Sequence, residues 1–166
     1  MSIVTKDDFV GEIKVPKTSF SELDNFILEF EEDILVELMG GELYSLFKAD
    51  LTQTQPQIPQ TDRFIKIFNP FIIDHQELVI VSKGIKRMLA QFIYFEFIRG
   101  TQYENSATGT MKTNTELGRH ADGEGNEVMI YNKGVSNAHA IQWYIHENIE
   151  DYPEENMQLL EYTSGI

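Results

Sequence analysis

Apolar residues recur at helical spacing in three long stretches of this chain, and polar runs between them set the joints. From Phe20 to Met39, the residues Phe20, Leu23, Phe26, Ile27, Phe30, Ile34, Leu35 and Leu38 form one stripe, because positions three and four apart share a helix face. Ser19 with Glu22 three residues later reads as a capping box, and Gly40-Gly41 as the stop. The opposite face carries Glu22, Asp24, Glu29, Glu31, Glu32, Asp33 and Glu37, a charge run expected to be solvated. A shorter helix is predicted from Glu42 to about Asp50, with Leu43, Leu46, Phe47 and Leu51 inward. The stretch from Thr52 to Thr61 is polar and holds Pro56 and Pro59, which predicts a linker.

Arg63 to Phe68 predicts one helical turn before Asn69-Pro70, and Phe71 to Val81 either a hairpin or an irregular bend. Ser82 is expected to cap a third major helix that runs to about Arg99 and stops at Gly100. Its apolar positions (Ile85, Met88, Leu89, Phe92, Ile93, Phe95, Phe97 and Ile98) wrap around the axis, so this helix should be buried on most sides. Lys83, Lys86 and Arg87 in its first turns oppose the helix dipole; they either face a carboxylate-rich partner surface or form a solvated helix end.

The helical period disappears from Thr101 to about Gly125. Thr101, Thr108, Thr110, Thr113 and Thr115, with Asn105, Asn114 and Gly109, favour extended chain and turns. This predicts an arm over 101–125, either extended or an irregular hairpin turning near Thr108-Gly109; a self-packed surface loop is the plainer alternative. Helix returns from about Asn126 to Asn148, with Met129, Ile130, Val135, Ala138, Ile141, Tyr144 and Ile145 inward and Gly134 expected to kink or weaken it. Asp151-Tyr152-Pro153 breaks it, and Pro153 is placed to start a last short helix through Leu160. The expected fold is mainly α. It is one small helical bundle spanning 1–166 around a central aromatic-rich helix, with the arm and a C-terminal tail over 152–166.

Composition changes the picture in three ways. The 166 residues are 42% hydrophobic and 11% aromatic, enough for one domain with one core. Acidic residues number 27 against 13 basic, a formal net charge of −14, which repels phosphate and argues against nucleic-acid binding by charge. The absence of cysteine excludes disulfides, thiolate metal sites and Cys nucleophiles. No basic-then-apolar leader pattern opens the chain, and its greasiest stretch, Leu89 to Ile98, is too short to cross a membrane.

Candidate chemistry fails motif by motif. His139 and His146 share a helix face but stand about 10 Å apart along the axis, and no HExxH or CxxC pattern exists. Asp122 to Glu127 resembles a calcium loop only superficially, because the sixth and twelfth positions would be Glu127 and Lys133; a glycine-containing turn before a helix explains it better. There is no phosphate loop and no GxSxG elbow, and adjacent acids such as Glu31-Glu32 and Glu154-Glu155 point about 100° apart on a helix. No catalytic residue, cofactor or metal ligand is therefore expected.

The segment Ser82 to Arg99, running into the arm Thr108-Gly-Thr-Met-Lys-Thr-Asn-Thr-Glu116 and then a helix near Tyr131-Asn132, resembles the head–tail connector (adaptor) proteins of tailed bacteriophages. The early helix followed by Gly41-Glu-Leu-Tyr44 fits the same pattern, which spans roughly Phe20 to Ile149 and resembles in flavour the connectors of phages of Bacteroidetes-type hosts, including crAss-like phages. The resemblance implies a non-enzymatic virion protein, made in the host cytoplasm. It would form a ring of identical subunits, commonly twelvefold, that joins the portal protein to the next neck or tail ring around a channel DNA passes without specific binding. It also implies subunit contacts at Thr108, Gly109, Thr110, Met111, Lys112 and Thr113, and portal contacts at Met157, Leu159, Leu160 and Tyr162. No membrane partner is expected. The alternatives are a soluble helical module that binds a basic partner through the acidic first helix, or another virion part such as a tail terminator or stopper.

Overall fold

The computed structural model describes residues 1–75, 78–106, 109–112 and 123–154. Five helices, α1 (Phe20–Met39), α2 (Gly41–Asp50), α3 (Asp62–Phe68), α4 (Gly84–Gln102) and α5 (Gly123–Glu147), form the bulk of the described chain. Two separate two-stranded antiparallel hairpins, β1 (Phe71–His75) with β2 (Leu78–Ser82) and β3 (Tyr103–Ser106) with β4 (Gly109–Lys112), flank α4. The fold is mainly α, as its periodicity predicts.

Helix α4 is the axis of the bundle. Every residue from Met88 to Tyr94 is buried, because α1, α3 and α5 all pack on it and the N-terminal segment closes a further side. The junction that delivers the chain into α4 is fixed by a polar network rather than by apolar contact. Ser82 Oγ accepts from the Gly84 N–H (3.0 Å) and donates to Asn137 Oδ1 (2.8 Å), which also accepts from the Lys83 N–H (2.8 Å). Asn137 Nδ2 then donates to the Gly84 carbonyl (3.2 Å), so one buried amide of α5 holds the whole turn.

Several expectations require correction. Ser19 makes no capping bond; it ends a 3-10 turn at 17–19 that feeds straight into α1. Gly100 does not stop α4, which runs to Gln102. Its lack of a side chain admits the ring of Phe26, since a Cβ there would lie 2.6 Å from that ring. Gly134 likewise lies inside a continuous α5 and makes room for Phe92, whose ring a Cβ would meet at 3.0 Å. Gly123 to Asn126 belong to α5 and are not a turn before it. Leu46 and Met129 face solvent, while Tyr44 takes an inward place on α2. Of the alternatives for 71–81, the hairpin is the one formed.

The first 15 residues, for which the sequence pattern predicts no element, are part of the core. Ile3, Val4, Phe9, Ile13 and Val15 are all buried as this strap crosses α1 and α4 through short 3-10 turns at 6–8 and 11–13. The linker is tied down as well: the Gln57 N–H donates to the Ser2 carbonyl, and Asp50 Oδ2 accepts from the Gln60 and Thr61 N–H groups. After α5, Tyr152 is buried and its hydroxyl donates to the Arg63 carbonyl, while Arg63 donates to the Asp151 carbonyl (2.8 Å) and pairs with Glu154.

Candidate functional site

α1, α4 and α5 do not close completely on one another, and a cavity of about 270 Å³ remains where they meet. Phe30 and Ile34 of α1, Phe92 of α4 and Tyr131 of α5 supply its apolar lining; Asp33 and Glu37 of α1 and Glu96 of α4 supply carboxylates. The spacing explains the composition: 30, 33, 34 and 37 fall on one stripe of α1, and 92 and 96 are one turn apart on α4. Gly134 draws Phe92 against the α5 backbone, and Tyr131 packs on both Phe92 (5.2 Å between centroids) and Phe95 (4.8 Å). Phe30 stacks on Phe26 at 5.8 Å. The aromatic walls are therefore fixed by their own packing.

The electrostatics of this groove are one-sided. Glu96 is half-buried, and burial pushes its carboxyl above the ordinary range; Arg99 opposes the shift and Glu29 adds to it. Burial also pushes the Tyr131 hydroxyl up, reinforced by Glu37 and Glu96. At the edge, the exposed guanidinium of Arg99 bridges to Glu96 (2.9 Å) and lies 5.6 Å from the Phe95 ring centroid.

A second cavity, of about 180 Å³, lies beside the strap and is lined by Met1 to Ile3, Glu31, Glu32, Tyr44 and Lys48 among others. Its charged groups already have partners. Glu31 is buried, against the expectation of a solvated face, and its carboxylate accepts from the N–H groups of Ile3 (2.9 and 3.1 Å) and Val4 (2.9 Å). Burial pushes Glu31 up, with those hydrogen bonds and the N-terminal ammonium opposing the shift. Glu32 pairs with Lys48 at 2.7 Å.

The cations at the start of α4 meet acids of the chain itself. Lys86 pairs with Asp8 (2.8 Å), Arg87 pairs with Glu12 (3.3 Å) and also donates to the Val10 carbonyl, and Lys133 of α5 joins Glu12. Lys86 and Arg87 are therefore part of the strap's docking, while Lys83 is exposed.

The predicted subunit-contact residues Gly109, Thr110, Met111 and Lys112 form β4, paired in register with Ser106, Asn105, Glu104 and Tyr103. The described part of the arm therefore pairs with itself as a hairpin. Thr108 and Thr113 lie outside the described residues, as do Met157, Leu159, Leu160 and Tyr162 and the expected last helix to Leu160. Among the described residues, no group of three His, Asp or Glu side chains could hold a metal ion, and no helix is long and apolar enough to cross a membrane. Sequence reasoning misses the acid-rimmed groove. Its signal in the sequence is the acid-aromatic alternation Phe30, Asp33, Ile34, Glu37, which by pattern alone is only the edge of a core stripe. Compared with protein-family models, with curated proteins and with solved structures, the chain matches none.

Proposed function

We propose that this protein is a non-enzymatic assembly subunit: a head–tail connector that forms a neck ring between portal and tail around the DNA channel of a tailed phage. The observation that carries the reading is the β3–β4 hairpin. Helix α4 passes without interruption into β3, so the hairpin prolongs the central helix of the bundle, and its contacts with the bundle are mainly with α4 itself. Among the described residues, each strand pairs only with the other and its outer edge carries no further strand. Unpaired strand edges are templates for strand addition, and one repeated head-to-tail contact closes a ring. In this reading Thr108 to Thr113 meet the neighbouring subunit, and Met157, Leu159, Leu160 and Tyr162 meet the portal. The order of elements agrees with the resemblance: an early helix, a Gly-Glu-Leu-Tyr helix, a central aromatic helix, an arm and a returning helix. The net charge of −14 suits a channel past which DNA slides.

The test is electron microscopy and mass measurement of the purified protein, alone and mixed with the portal protein of the same phage. Closed rings, or density capping the portal, are the expected result, and a deletion variant lacking 103–112 should stay folded but lose them. A monomer indifferent to the portal would overturn the reading. A second reading, a helical module that binds a basic partner, is favoured by one observation, the acid-rimmed groove on α1, α4 and α5.

A further inference from the structure

We infer that the groove between α1, α4 and α5 is a docking site for an arginine or lysine side chain presented by a protein partner. Two independent properties converge there. The lining includes the aromatic rings of Phe30, Phe92 and Tyr131, and aromatic rings attract a cation through the negative potential above their faces. The same cavity holds Asp33, Glu37 and Glu96, which face it from two helices.

The carboxylates are placed at a cost that a cation would relieve. Asp33 and Glu37 are like charges one helical turn apart, an arrangement that destabilises an isolated helix. Glu96 is half-buried, and burial still holds its carboxyl above the ordinary range although the exposed Arg99 opposes that shift, with Glu29 adding to it. An apolar ligand would deepen that penalty by removing the remaining water, and an anion would be repelled. A guanidinium or ammonium on an apolar stem meets both requirements, with the stem against Ile34 and Phe92 and the charge among the acids.

The chain itself shows the mode of contact. Arg99 sits at the edge of the groove with its guanidinium on Glu96 and over the Phe95 ring, the pairing of carboxylate and aromatic face that the groove repeats further in. Arg99 is largely exposed, so it borders the cavity without filling it. The surroundings reinforce the choice of partner, since no Lys or Arg occurs between Lys17 and Lys48 and the whole chain is strongly acidic. Such a field speeds the approach of a basic partner and turns nucleic acid away.

This inference does not depend on ring formation, because the groove is complete within one chain. It is tested with the full-length protein and three short peptides of otherwise identical sequence, carrying a central arginine, lysine or citrulline, the last being the uncharged relative of arginine. The readouts are affinity and the NMR shifts of the Tyr131 and Phe92 ring signals. The arginine and lysine peptides should bind and move both rings, more weakly as salt rises, and citrulline should bind at least about tenfold more weakly. Glu37→Gln combined with Glu96→Gln should reduce arginine binding by about tenfold or more while thermal unfolding shows an intact fold. Should that pair lower the melting temperature sharply, Asp33→Asn at the exposed edge gives a second measure, expected to weaken binding severalfold. Equal binding of arginine and citrulline, unmoved ring signals, or binding unaffected by these variants would overturn the proposal.

Discussion

Gly84 shows how much one residue decides at the entrance to α4. Its φ of +80° is a left-handed conformation that side chains resist, and a Cβ there would lie 2.3 Å from the Phe68 carbonyl oxygen, a backbone atom that cannot swing aside. Gly84→Ala is expected to cost about 3 kcal/mol or more, read as a lowered denaturation midpoint with an unchanged slope. Asn137 holds the same turn from the other side. Asn137→Ala would strand the Lys83 N–H and the Gly84 carbonyl, where Gly84 is itself buried, and is expected to cost about 2–3 kcal/mol. Asn137→Asp should be milder at the acceptor positions but lose the bond to the Gly84 carbonyl, a distinction that amide exchange at Lys83 and Gly84 would detect. At this scale the sequence is partly legible. Ser82, the expected cap of α4, instead ends β2 one residue before the cap position and accepts from the N–H of the first helical residue, Gly84, and its reliance on an amide 55 residues away has no local signature.

At the scale of elements, the N-terminal strap raises the question of what holds it. Its ion pairs, Asp8 with Lys86 and Glu12 with Arg87 and Lys133, are all partly exposed, and such pairs contribute about 0–1 kcal/mol each. Its apolar anchors are wholly buried, and truncating one leaves a cavity worth about 2–4 kcal/mol. Packing should therefore win: Ile13→Ala is expected to destabilise several times more than Glu12→Gln, measured by urea denaturation of both variants. The strap also explains where sequence pattern reaches its limit. The α1, α2, α4 and α5 stripes are legible because a helix buries a fixed period, whereas the strap buries residues 3, 4, 9, 13 and 15, a spacing with no period to detect. Glu31 defeats the pattern for a related reason. It lies four residues after Ile27 and four before Leu35, on the buried stripe itself, but its charge argues for solvent unless the strap's N–H groups are there to receive it. The groove escapes a reading of the sequence because it needs three helices, the last of them far along the chain from the first.

At the scale of the whole molecule, the buried and exposed carboxylates pull stability in opposite directions with pH. Glu31 and Glu96 have carboxyls raised above the ordinary value of 4.5, chiefly by burial. Between that value and their raised ones, the folded chain binds more protons than the unfolded chain, so stability falls as pH rises through the window. Glu12 and Glu32 are lowered, Glu12 first by its hydrogen bond to Lys133 and Glu32 first by its bond to Lys48. Their contribution is present above 4.5 and is lost as pH drops below it, through their lowered values. Self-repulsion from a net charge of −14 adds to the first trend, since every proton taken up relieves it. The melting temperature is therefore expected to rise as pH is lowered from neutrality, to peak a little above the ordinary carboxylate range, and to fall below it. Glu31→Gln isolates the most deeply buried contributor: it keeps an oxygen to accept from Ile3 and Val4 but removes the titration. Its melting temperature should depend less steeply on pH over the rising part of the curve than that of the unaltered protein. An equally steep slope would mean that Glu31 is held fully ionised by the strap and that general self-repulsion drives the effect, in which case added salt should flatten the curve of both proteins alike.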